Sequence, residues 1–249
     1  IWQAITLFAS TSLANFFYNI TPNNYAVFEI DTFTTSMAKL SVLDLVFIDH
    51  QNKHSSFRIT IKRRIVNMDR DEIFVSEIEL LLPKNLSEIE DTRSLAVDYS
   101  KLNIAARSLV SPPFATGSLN YQKNSRAKIL IIGLGGSQIN NFLHNAFSMV
   151  DLTVIELEEQ MVNIAKKYFG LSLDDHQKVI VMDGKKYLQE AADKGIKFDA
   201  IYIDVCPTRF PEEEEIMCPI SAFLNPATIK AIKNSLKPSG MVFKKLFCC

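Results

Sequence analysis

Three features of the sequence predict an α/β fold, with an open parallel sheet in residues 98–249 and a small β-rich domain in residues 1–97. The first is the stretch from Lys128 to Ser137, where four apolar residues, Ile129 to Ile132, run into the glycine-rich turn Gly133-Leu134-Gly135-Gly136-Ser137. The second is a helix-period segment directly after the turn. Ile139, Phe142, Leu143, Ala146, Phe147 and Val150 recur at the spacing of a half-buried helix. The third is repetition: beyond Lys128, short apolar runs alternate with helix-period segments, the pattern of a parallel sheet with crossover helices.

Upstream of residue 97 the runs are strand-like. Tyr25 to Ile30 and Leu45 to Ile48 are short apolar runs, and the second is closed by the polar stretch Asp49 to Ser56. Phe57 to Lys62 alternates strictly, as a half-buried strand does. The polar stretch between them predicts a hairpin. A further strand over 73–82 is ended by Pro83. Residues 95–110 read as a helix with Leu102, Ala105, Ala106 and Leu109 on one face, and Ser111-Pro112-Pro113 is expected to stop it.

Beyond Lys128, strands are expected over 129–132, 152–157, 178–182, 198–203 and 241–247. Helices are expected over 137–149, 158–169, 184–193 and 226–236. Gly170 suits a helix C-terminus, and Asn225-Pro226 is a cap followed by a first-turn proline. Residues 237–240 read as a turn. Residues 204–220 form a connection that is long for an α/β protein, which makes it a functional suspect.

Composition narrows the function classes. Of 249 residues, 47% are hydrophobic and 22% charged, an ordinary globular balance. The net charge of −1 supplies no basic field, so no nucleic-acid partner is expected. No uninterrupted apolar window of about 18 residues exists, so neither a spanning helix nor a membrane partner is expected. The apolar N-terminus lacks a basic leader, so no signal peptide is expected, and the absence of an initial Met reads as a piece of a longer protein. The four cysteines, Cys206, Cys218, Cys248 and Cys249, form no C-x-x-C pair. A reduced, cytoplasmic protein without a metal centre is the expectation. His50 and His54 sit in the polar hairpin loop with no metal-ligand company, and the glycosylation sequons at Asn19 and Asn85 read as chance.

In an open parallel sheet, ligands bind beyond the carboxyl ends of the strands. After the first of these strands comes the glycine turn, whose bare backbone lets a ligand approach its N–H groups. Gly133 and Gly135 fit a dinucleotide fingerprint, but Gln138 stands where its third glycine belongs. Glu156 ends the second strand, 23 residues after Gly133, where a carboxylate can accept from ribose hydroxyls. Asp183-Gly184 comes after the third strand; the acid is placed to accept from an adenine amino group or to cap the next helix. Asp204 ends the fourth and is the candidate catalytic residue, holding or deprotonating an incoming amine, unless it only orders the loop. The run Glu212 to Glu215 would draw a cationic acceptor to the mouth, or is a solvated acidic surface. Tyr99 and Lys101 are weaker candidates for lying over a cofactor.

These residues carry a resemblance. Ile-Ile-Gly-Leu-Gly-Gly-Ser137, Val-Ile-Glu-Leu157, Ala-Lys-Lys-Tyr-Phe-Gly170, Met-Asp-Gly184, Tyr-Ile-Asp204 and Met-Cys-Pro219 have the order of motifs in class I S-adenosylmethionine methyltransferases of the spermidine-synthase-like branch. Over residues 40–249 the chain resembles in particular the C-terminal domain of the methyltransferase-like protein 13 family, which methylates elongation factor 1-alpha on a lysine and on its N-terminal amine. The resemblance implies a Rossmann-like sheet and S-adenosyl-L-methionine as cofactor. It implies that Gly133, Gly135, Gly136 and Ser137 cradle the amino-acid end, Glu156 the ribose, and Asp183 with Gly184 the adenine, and that the partner is a protein bearing a cationic amine. Ser137 stands where the family has a third glycine. Strands six and seven of that fold are expected to be missing, since residue 249 falls at strand five.

Three other readings stay open. Aminopropyl transfer, the polyamine-synthase reaction, calls for a second acid in the pattern Asp-x-x-Asp, and Asp204-Val-Cys-Pro207 lacks it. A non-catalytic fragment would keep the cofactor pocket alone. A nicotinamide oxidoreductase is disfavoured by Gln138 and Asp183.

Overall fold

A computed structural model describes residues 25–50, 57–69, 74–89, 91–207, 216–244 and 247–248. Among these, residues 25–34 and 38–101 form one compact unit, and residues 35–37 and 102 onward form another. His54, Ile73 and the acidic run 212–215 lie outside the described residues.

The first unit is an antiparallel meander of β1 (Tyr25–Thr34), β2 (Lys39–His50), β3 (Phe57–Asn67) and β4 (Phe74–Glu79), paired in chain order. Period-2 alternation places Val42, Val46, Ile61 and Ile65 on one face, where all are buried, and their register pairs Val42 with Ile65 and Val46 with Ile61. Between these pairs the same face carries Asp44 opposite Arg63. Both are buried, and the guanidinium donates to both carboxylate oxygens at 2.7 and 2.8 Å and to the Thr92 carbonyl at 2.8 Å. A two-pronged pair of this kind is tolerated in a core because each charge has its counter-charge.

The second unit contains a five-stranded parallel sheet in the order β10-β8-β5-β6-β7. Its strands are β5 (Arg126–Ile132), β6 (Met149–Glu156), β7 (Gln177–Val181), β8 (Phe198–Ile203) and β10 (Leu236–Lys244). The helices are α1 (Ile104–Ala115), α2 (Gln138–Ala146), α3 (Glu159–Tyr168), α4 (Gly184–Asp193) and α5 (Pro226–Asn234). Alternate residues of the central strands feed two cores. Ile129, Ile131, Leu152 and Val154 pack with α1, α2 and α3, and Leu130, Ile132, Ile155 and Ile203 pack with α4 and α5. Burial on both faces explains the unbroken apolar runs Ile129–Ile132 and Ala200–Ile203 within these strands. A short two-stranded sheet pairs β9 (Ile216–Cys218) with β11 (Phe247–Cys248).

Three sequence expectations need correction. The helix expected over 95–110 begins at Ile104, where Asn103 caps it by accepting from the Ala106 N–H at 2.8 Å, and Asp98 forms a separate turn by accepting from the Ser100 N–H. It then runs through Pro112 and Pro113 to Ala115. Proline's fixed φ is helical, so the cost is the two missing N–H bonds and the crowding of each ring against the carbonyl four residues back. Burial of Pro113 and stacking of Phe114 on Phe147, with ring centroids 5.2 Å apart, offset that cost. The fifth sheet strand spans 236–244 rather than 241–247. The predicted turn at 237–240 is an irregularity inside it, with the register on β8 shifting between Leu236 and Met241. Finally, the cysteines are not all thiols: Cys206 and Cys218 are joined in a disulfide. The fold brings the two ends of the long connection together, which no local spacing rule could reveal.

The Tyr202 side chain on β8 is fully buried beside Phe243, and its hydroxyl has no hydrogen-bond partner among the described residues. Burial pushes its pKa far above the ordinary phenol range. Tyr202→Phe removes this desolvated hydroxyl and keeps the ring, so it is expected to stabilise the protein by about 1–2 kcal/mol. Chemical denaturation of the two proteins checks this; a loss of stability would mean that the hydroxyl has a partner.

Candidate functional site

Backbone hydrogen bonds continue one residue past the strands at the carboxyl edge of the parallel sheet. The Asp204 N–H donates to Ile132 O at 2.9 Å, the Gly133 N–H to Ile155 O at 2.8 Å, and the Met182 N–H to Glu156 O at 2.8 Å. Asp204, Gly133, Glu156 and Asp183 therefore stand along one edge, on or next to the ends of β8, β5, β6 and β7 in that order. With adjacent strands about 4.8 Å apart, the row is roughly 14 Å long. The chain turns to opposite sides of the sheet on leaving β5 and β8, which makes this the switch point where open α/β sheets bind ligands.

The turn after β5 has left-handed backbone at Gly133 (φ 95°), Gly135 (φ 51°) and Ser137 (φ 58°), whereas Gly136 is outside that region. Gly133 is required by contact as well as by φ: a Cβ there would lie 2.3 Å from the Asp204 carbonyl oxygen. The turn is thus pressed against the segment after β8. Ser137 closes it by donating its N–H to Leu134 O at 3.0 Å and then starts α2 without a side-chain cap. Its hydroxyl is buried and, among the described residues, without a partner. A serine here bears left-handed strain and an unpaired donor, the physical reason a glycine suits the position. Ser137→Gly is expected to raise stability by about 1 kcal/mol, the relief exceeding the entropy glycine adds to the unfolded chain. Equilibrium unfolding in urea tests the sign.

Glu156 is buried, and its carboxylate is held by three backbone donors. One oxygen accepts from the Leu134 N–H at 2.9 Å; the other accepts from Leu157 and Glu158 at 2.7 and 3.0 Å. This side chain is the strap between the glycine turn and the start of α3, a role that spacing alone did not reveal. Asp183 caps α4, and one of its oxygens accepts from both the Lys185 and Lys186 N–H groups at 2.7 and 3.2 Å. The other oxygen stands 3.9 Å from Lys185 Nζ. Gly184 is a packing glycine: a Cβ would meet Ile132 Cγ2 at 2.5 Å and Phe223 at 3.1 Å. It sets α4 close against the end of β5 and presents no side chain to a ligand.

Sequence reasoning passed over two apolar side chains on this edge. Leu157 and Val181, next to Glu156 and at the end of β7, are 54% and 46% exposed. Large apolar groups left open beside polar strand ends suit the face of a flat ring; the signal for Leu157 was an apolar residue directly after a strand-end acid, and Val181 had no such mark. A buried amide network also went unread. Asn140 donates to Gln177 Oε1 at 2.9 Å and Asn141 to Phe169 O at 2.9 Å, fixing α2 behind the turn. Tyr99 and Lys101 fall in the first unit. No helix among the described residues is long and apolar enough to cross a membrane.

A parallel sheet in this order, with a glycine turn and acids along its carboxyl edge, defines a Rossmann-like α/β protein. Within that class the chain belongs to the spermine/spermidine synthase domain family, whose model matches residues 116–247. It is 30% identical over 170 residues to the eEF1A lysine and N-terminal methyltransferase of Homo sapiens, covering 67% of this chain and 23% of that protein. It is also 30% identical over 139 residues to the eEF1A lysine and N-terminal methyltransferase homolog of Drosophila pseudoobscura pseudoobscura, covering 56% of this chain and 20% of that one. The chain thus spans about a fifth to a quarter of the length of these relatives. A crystal structure of a probable spermidine synthase from Corynebacterium glutamicum shares the fold at 13% identity, with a TM-score of 0.50 over 85% of this chain and 62% of that one.

Proposed function

We propose that this chain is the cofactor-binding part of an S-adenosylmethionine-dependent methyltransferase acting on a protein amine, with residues 98–249 as its catalytic domain. The observation that carries the reading is the row of acids along one sheet edge with the glycine turn between Asp204 and Glu156. The donor set fits the cofactor. The uncapped start of α2 and the buried Ser137 hydroxyl offer polar groups to an amino-acid end. Glu156 keeps acceptor capacity for a ribose hydroxyl beyond its three backbone bonds, since a carboxylate offers about four lone-pair sites. Asp183 has an oxygen not used in capping for an adenine amino group, and Leu157 and Val181 offer the flanking apolar walls.

S-adenosylmethionine, when bound, supplies an electrophilic methyl group. The protein's task is then chiefly alignment, because the methyl donor is already activated. Asp204, half-buried and one strand over from the turn, would accept a hydrogen bond from the acceptor amine and aim its lone pair along the line of transfer. Relatives named as eEF1A lysine and N-terminal methyltransferases support a protein amine as acceptor and elongation factor 1-alpha as the first candidate, which in turn favours a cytoplasmic setting. Aminopropyl transfer is less favoured: its second acid would stand at Pro207, which has no polar side chain.

Labelling elongation factor 1-alpha and a cell lysate with an isotopic methyl donor tests the reading. One labelled amine is the expected product. Asp204→Asn is expected to lower turnover by about 100-fold or more while leaving cofactor affinity nearly unchanged. Turnover of putrescine with no methylated protein would favour the aminopropyl reaction instead.

A further inference from the structure

We propose that Cys206 and Cys218 form a reversible thiol–disulfide pair that, when oxidised, pins the Asp204 segment against the glycine turn and, when reduced, loosens it. Cys206 lies two residues after Asp204, and Cys218 is the last residue of β9. The disulfide spans a Cα–Cα distance of 4.8 Å. Close by, the Ile220 N–H donates to Val205 O at 3.2 Å, so a covalent link and a backbone bond together join the post-β8 segment to the chain around β9. That segment is the one the turn leans on: the Cβ position of Gly133 meets the Asp204 carbonyl oxygen at 2.3 Å and Val205 Cγ1 at 3.2 Å. Any slack at Cys206 is therefore felt both at Asp204 and at the turn.

The two sulfurs are not equivalent. Cys206 is exposed, whereas Cys218 is 2% exposed. Access decides which sulfur an external thiol can attack. Oxidation by a small disulfide such as oxidised glutathione begins with the Cys206 thiolate, which forms a mixed disulfide and releases one glutathione thiol. The Cys218 thiolate then attacks the Cys206 sulfur and releases the second. Two protein thiols lose two electrons and two protons, and one glutathione disulfide becomes two thiols. Reduction runs in reverse, with the external thiolate attacking the Cys206 sulfur and Cys218 leaving. A pair of this kind reconciles a disulfide with a reducing setting, where protein disulfides are typically transient or sensory.

The effect on transfer chemistry rests on the methyltransferase reading, but the pairing and the pinning do not. The full 249-residue chain is equilibrated across a series of glutathione ratios, alkylated and mapped by peptide mass, and hydrogen exchange is monitored at residues 203–206. The expected result is joint, reversible protection of Cys206 and Cys218, with exchange of the Asp204 and Val205 amides about tenfold slower in the oxidised protein. Cys206→Ser, at an exposed position, should exchange like the reduced protein under every condition. Independent alkylation of the two thiols, a crosslink from Cys218 to Cys248 or Cys249, or identical exchange in both states overturns the proposal. S-adenosylhomocysteine titrated into both states reads the other question separately: absent binding in both, with pairing and exchange as expected, sinks the methyltransferase reading and leaves the redox pair supported.

Discussion

Gly133→Ala is expected to destabilise the second unit by about 3–5 kcal/mol and to abolish cofactor binding. Two penalties add. The residue sits at φ 95°, where an L side chain is strained, and its new Cβ would meet the Asp204 carbonyl oxygen at 2.3 Å. The opposing atom is backbone, so no rotamer change relieves the contact. Either the turn lifts off the post-β8 segment or the Asp204 N–H loses its 2.9 Å bond to Ile132 O. Urea unfolding monitored by a probe in the second unit measures the loss, and hydrogen exchange at Asp204 shows which way the strain is relieved. A change below about 1 kcal/mol would contradict the close approach.

Glu156→Gln is expected to cost about 2–4 kcal/mol even with no ligand present. Glutamine keeps one acceptor oxygen but turns an NH₂ group toward either the Leu134 N–H or the Leu157 and Glu158 N–H groups, setting donor against donor. The strap between the glycine turn and α3 would open at one end. Glu156→Asp keeps the charge but is one methylene short, and it should fall between the two. Thermal unfolding without ligand separates this strapping role from ribose binding. If Glu156→Gln lost affinity while its unliganded stability stayed at the wild-type value, the carboxylate would serve the ligand alone.

Much of the parallel sheet was legible because local pattern and tertiary environment agree there. The Phe198–Ile203 strand and the Gly184–Asp193 helix fall where the sequence places them, since each is bounded by strong local signals: Asp183 as a cap and the apolar run Ala200–Ile203 ending at Asp204. The α1 boundary was misread because proline is a local stop signal, yet Pro113 is buried and Phe114 stacks on Phe147, contacts made with a residue far along the chain. The register shift within β10 was hidden for the same reason: Lys237-Pro-Ser-Gly240 has turn chemistry, but pairing with β8 on either side keeps it in the strand.

At the site, residue types and local partners were readable and the long-range partner was not. Asp183 caps its own helix through the Lys185 and Lys186 N–H groups, as its place before Gly184 suggests, but Glu156 is also tied to the Leu134 N–H, in a segment that only the fold brings near. The Cys206–Cys218 link and the unpaired hydroxyls of Ser137 and Tyr202 are likewise properties of enclosure, which sequence spacing does not encode.

The proposed function requires an adenosyl pocket along this sheet edge. Calorimetric titration of the 249-residue chain with S-adenosylhomocysteine tests it most directly. One site in the micromolar range is expected, with a gain in thermal stability that grows with ligand concentration, about 2.7 kcal/mol at a hundredfold excess over Kd. No heat and no thermal shift at millimolar S-adenosylhomocysteine, in protein shown to be folded, would contradict it.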